Sequence, residues 1–106
     1  MAYNVLVDFM YEVGNGVGVF LPEDEQREFT PLPLPAIVGS YARSRGRLAV
    51  FLLRWQIRRY IRANLTPSGL RYADPFDQEL AFPEDYFEGD LLVFLRTVQT
   101  LLKLAR

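Results

Sequence analysis

Apolar residues recur at spacings of three and four near the end of the chain: Leu91, Phe94, Leu95, Val98, Leu101, Leu102 and Ala105. Arg96, Thr97, Gln99, Thr100, Lys103 and Arg106 fall between them. A period near 3.6 predicts an amphipathic helix over 90–106 that packs on a core through this stripe. Asp90 is placed to accept from the free N–H groups of its first turn, and Glu84, Asp85 and Glu88 add negative charge near that positive end. A start at Pro83, with Gly89 inside the helix, is the alternative.

The longest helical pattern covers 36–65. Ala49, Val50, Leu53, Ile57, Tyr60 and Ile61 share one side at about 100° per residue, and Leu48, Leu52 and Trp55 widen that side on one flank. Arg47, Arg54, Arg58 and Arg62 fall in a narrow band opposite, joined by Arg43 if the helix reaches back that far. Phe51 and Trp55 lie within or beside this cationic ridge. Pro35 suits the helix entry. Gly39, Ser40 and Gly46 weaken the early turns and predict a break or kink, whereas 47–64 reads as continuous helix ended by Asn64 and Pro67.

The first 35 residues show a different rhythm. Tyr3, Val5, Val7 and Phe9 alternate loosely on one side, with Leu6 and Met10 on the other, which predicts a strand. Gly14-Asn15-Gly16 supplies the positive φ angles of a tight hairpin turn, and Val17–Leu21 forms the return strand. The same glycines lack the following helix and the Lys-Ser/Thr pair of a phosphate-binding loop. Arg27–Leu32 is expected as a third, edge strand because Pro31 cannot donate to a ladder. Pro31, Pro33 and Pro35 make a stiff, extended connector. Leu70–Asp77 is irregular, with a turn at Asp74-Pro75, and Leu80–Phe82 is a short candidate strand. The expected fold is therefore α+β: a single small domain with an N-terminal antiparallel β-hairpin or meander over 1–35, packed on the central helix (36–65) and the C-terminal helix (90–106), with an acidic loop region over 66–89.

Composition narrows the chemistry. The chain has 106 residues, half of them apolar, with neither cysteine nor histidine. One domain with a true core follows from that length. Disulfides, thiolate or imidazole metal sites, a cysteine nucleophile and a histidine base are all excluded. Asp74, Asp77 and Glu79 could offer oxygen ligands to a divalent ion, but their spacing matches no metal loop and fits a solvated acidic loop. Glu23, Asp24 and Glu25 are consecutive and point in different directions, so no acid–base pair arises there. No enzyme, no cofactor and no metal are expected. No signal-peptide order and no apolar run of membrane-spanning length is present, so the chain reads as soluble and cytoplasmic. Asn64-Leu65-Thr66 is then a chance match to a glycosylation sequon.

Charge is where the sequence becomes distinctive. The net value is −1, yet 29–72 holds eight arginines and no acid, 73–90 holds seven acids and no base, and the first 28 residues hold six acids against Arg27. One reading is structural: the acids at 74–90 fold back and neutralise the ridge. The other makes Arg43, Arg47, Phe51, Arg54, Trp55, Arg58 and Arg62 a binding surface. Arginine and tryptophan anchor protein interfaces, so the expected partner is an acidic protein surface or a second copy of this chain. Size and charge segregation fit a small assembly subunit or inhibitor of the kind viruses encode. The alternative partner is a nucleic-acid backbone, in DNA, RNA or a ribonucleoprotein complex, with Trp55 or Phe51 stacking a base. A sequence pI near 5.4 argues against that alternative.

Overall fold

The computed structural model describes residues 3–73, 76 and 90–105. Among them are five helices: α1 (Asn4–Val17), α2 (Glu23–Gln26), α3 (Leu34–Arg45), α4 (Arg47–Asn64) and α5 (Leu91–Leu104). The only strands among the described residues are β1 (Leu65–Thr66) and β2 (Gly69–Leu70), which pair antiparallel with Leu65 opposite Leu70. The domain is mostly helical, and the expected N-terminal β-meander does not form.

The reason lies in the face that the first segment buries. Leu6, Phe9, Met10, Val13 and Val17 are all buried along α1, at helical rather than alternating spacing, and this stripe outweighs the looser β-like alternation. Gly14-Asn15-Gly16 is not a hairpin turn; it forms the closing turns of α1. A Cβ on Gly16 would lie 2.7 Å from the Ile37 side chain, and one on Gly14 would lie 2.6 Å from the Phe20 ring. These glycines let α3 and the following loop come close. Helix α1 stops at Gly18, at φ 77°, where Gly18 N–H donates to Asn15 O and Val19 N–H donates to Gly14 O. That paired C-terminal bonding needs a left-handed residue, which glycine supplies without strain.

Arg27–Leu32 forms no strand either. Its backbone is tied down by Leu32 N–H donating to Gly16 O at 2.9 Å. The connector then enters α3 through Pro33, at φ −67° and ψ 150°. The expected weak point at Gly46 is a break: Gly46, at φ 88° and ψ −179°, ends α3 and begins α4. At the other end of the molecule Asp90 caps α5, its Oδ1 accepting from Val93 N–H at 2.9 Å. The candidate strand at Leu80–Phe82 lies outside the described residues.

Helices α3 and α4 each pack against α1, α5 and one another. Their shared core includes Phe9 and Val13 of α1, Val38 and Tyr41 of α3, Leu53, Ile57 and Tyr60 of α4, and Phe94, Leu95 and Val98 of α5. Two polar residues are buried on α4, Gln56 and Asn64, and the first of them reaches the start of α1. Gln56 Oε1 accepts from Val5 N–H (3.0 Å) and Leu6 N–H (2.9 Å), and its Nε2 donates to Asn4 Oδ1 (3.0 Å). Helix α1 has no side-chain cap of its own, so α4 supplies one from across the core.

Candidate functional site: the outer face of helix α4

Burial fixes which side of α4 faces out. Leu53, Gln56, Ile57, Tyr60 and Asn64 are buried, so the opposite side is left to solvent. Leu48, expected to widen the buried side, is instead 71% exposed, beside Phe51 at 64% and Trp55 at 45%. Position decides this: Leu48, Phe51 and Trp55 lie on the side of the helix directly away from Ile57, where none of the described elements covers them. The outer face thus begins apolar and ends cationic, at Arg58, Arg59 and Arg62, all exposed.

The seven residues singled out from the sequence do not form one row. Arg43 belongs to α3, before the break at Gly46, and its guanidinium folds back over Gly39 of its own helix. Arg47 is exposed at the start of α4, and Arg54 is partly buried against α5. Arg47, Phe51 and Arg54 line a cleft of about 470 Å³ shared with Ala42, Gly46, Val50, Leu102 and Ala105. Trp55, Arg58 and Arg62, together with Arg59, surround a second concavity of about 300 Å³.

Arg59 was not among those seven, although its place four residues after Trp55 was readable in the sequence. Its guanidinium lies 5.4 Å from the Trp55 ring centroid and 6.0 Å from that of Tyr3. It therefore links α4 to the start of α1 and orients the indole through cation–π attraction.

Charge compensation is selective. Among the described residues only Arg45 forms ion pairs: Nε with Asp8 Oδ2 at 3.1 Å and Nη2 with Glu12 Oε1 at 2.7 Å. These two hydrogen bonds, Asp8 first, raise the pKa of the guanidinium. Arg45 also lies 5.4 Å from the Tyr41 ring centroid. Burial, reinforced by the nearby Asp8, pushes the Tyr41 hydroxyl up to about 12. The acids of α1 thus neutralise Arg45 alone. Arg43, Arg47, Arg54, Arg58 and Arg62 have no carboxylate partner among the described residues. The acids at 74, 77, 79, 84, 85 and 88, and with them the metal reading of Asp74, Asp77 and Glu79, lie outside the described residues.

No helix among the described residues is long and apolar enough to cross a membrane. No protein-family model, curated protein or solved structure matches this chain.

Proposed function

We propose that this chain is a non-catalytic binding module that docks the outer face of α4 on an acidic protein surface. The observation that carries the reading is the pairing of exposed Phe51 and Trp55 with Arg47, Arg58 and Arg62, none of which has a carboxylate partner among the described residues. Aromatic and arginine side chains are the usual energetic anchors of an interface, and like charges three and four residues apart repel until a partner neutralises them.

A second copy of the chain supplies one such surface. Glu23, Asp24, Glu25 and Glu28 are all exposed on and beside α2. Contact between α4 of one copy and α2 of another closes a two-fold dimer if it is made reciprocally, and builds rings or open chains if it is made head to tail. Light scattering over a range of concentrations tests this. Wild type should associate more at low salt, and Arg58→Glu/Arg62→Glu should stay monomeric with an unchanged circular dichroism spectrum. Mixing that variant with Glu23→Arg/Glu25→Arg should restore association. Association that survives Arg58→Glu/Arg62→Glu would remove the docking face.

The concavity bounded by Trp55, Arg58, Arg59 and Arg62 favours a second reading, a nucleic-acid backbone with one base on the indole. Fluorescence polarisation with a labelled oligonucleotide checks it. Affinity should fall by about 0.9 log units per log unit of salt for each phosphate neutralised on duplex DNA, and absence of binding at low salt would end this reading.

A further inference from the structure

The larger cleft has a composition of its own. It lies where the end of α5 meets the break between α3 and α4, and Ala42, Val50, Phe51 and Leu102 give it an apolar wall. Its volume of about 470 Å³ falls within the range that holds small organic ligands, sites that are mostly apolar with a few convergent polar groups. Here the polar groups are Arg47 and Arg54.

Arg54 is the telling member. Its Nε is buried and has no hydrogen-bond partner among the described residues, and Gln99 Oε1 is buried in the same condition. Gln99 Nε2 donates to the Arg54 carbonyl oxygen at 2.9 Å, which brings the two residues together. Arg54 lines the cleft with no carboxylate partner among the described residues, an arrangement that an anionic oxygen entering the cleft would complete. The match is to a planar acceptor with an apolar body attached.

We propose that this cleft binds a small amphiphilic carboxylate of the medium-chain fatty-acid class. The head group sits on Arg47 and Arg54, and the chain lies along Ala42, Val50, Phe51 and Leu102. The inference rests on the same premise as the docking face, that these guanidinium groups have no carboxylate partner among the described residues, and the two share Arg47 and Phe51. Arg58 and Arg62 take no part in it.

Decanoate, below its micellar concentration, is the probe, and isothermal titration calorimetry with the full chain is the measurement. Saturable one-to-one binding is expected, with decanol and acetate each weaker by tenfold or more because one lacks the head and the other the body. Arg47→Gln, on the exposed rim, should weaken decanoate about tenfold, the loss of one charge-assisted contact. Ala42→Phe, confirmed as folded by its thermal transition, should fill the cleft and abolish binding while leaving association intact. Arg58→Glu/Arg62→Glu should do the reverse. No saturable decanoate binding, equal binding of decanol, or full binding by Arg47→Gln would overturn the proposal, whatever the outcome for association.

Discussion

Gln56 does at one position what usually takes a local capping residue. Two N–H groups at the start of α1 depend on its Oε1, and Asn4 depends on its Nε2. Gln56→Leu keeps the volume and the helix propensity but leaves Leu6 N–H buried without an acceptor. Each such orphan costs about 1–3 kcal/mol, so a loss of about 2–3 kcal/mol in urea unfolding is expected. Tyr41 makes a second prediction at this scale. Its hydroxyl ionises from the ordinary value of 10.0 in the unfolded chain but near 12 in the fold, chiefly because burial disfavours the phenolate. The raised value means the folded state holds its proton longer. That stability is fully present below pH 10 and is lost as pH rises through about 12. Alkaline unfolding curves of wild type and Tyr41→Phe should therefore differ in slope across that window. Asp8→Asn should change the difference only modestly, since burial is the larger cause.

At the scale of elements, the glycines of α1 decide between two readings of the same residues. In an ordinary helix Gly→Ala stabilises by roughly 0.5–1 kcal/mol. Gly16→Ala is expected to destabilise instead, by about 1–3 kcal/mol, because its Cβ would lie 2.7 Å from Ile37. Thermal unfolding reads the sign directly, and a rise in Tm would show that α1 and α3 do not approach so closely. Helices α4 and α5 were legible in the sequence because a firm 3.6-residue period agrees with their stop and cap residues, Asn64 with Pro67 and Asp90. Helix α1 was not, because Tyr3, Val5, Val7 and Phe9 imitate a strand over the residues where Leu6, Phe9, Met10 and Val13 mark a helix. Gly-Asn-Gly then read as a turn, since close packing by glycine and turn formation by glycine look alike until the neighbour is known. Candidate-site residues were legible as an arginine band on α4. The weak point at Gly46, which separates Arg43 from the band, and the spacing of Trp55 and Arg59 were legible too. The reach of Arg59 to Tyr3 and the exposure of Leu48 depend on which elements cover α4, and no local pattern carries that information.

Across the whole molecule, segregated charge raises the question of what balances the arginines of α4. Arg45 is balanced by Asp8 and Glu12 across α1 and α3. Arg54, Arg58 and Arg62 stand four residues apart on one helix with no acid between them, a spacing at which like charges destabilise the helix by a few tenths of a kcal/mol per pair. Two accounts of that strip predict opposite responses. If carboxylates of the same chain neutralise it, reversing charge at two positions breaks attractive contacts, and raising salt weakens the fold. If a partner neutralises it, the isolated chain holds a repulsive strip, so Arg58→Glu/Arg62→Glu leaves Tm unchanged or raises it. Moving from about 0.01 M to 0.15 M salt, where the screening length falls from about 30 Å to about 8 Å, should then raise Tm of wild type more than that of the variant. Differential scanning calorimetry on dilute protein, where association does not contribute, measures both. A marked drop in Tm for the variant at low salt would assign the arginines of α4 to the fold itself and leave the outer face without a reason to bind.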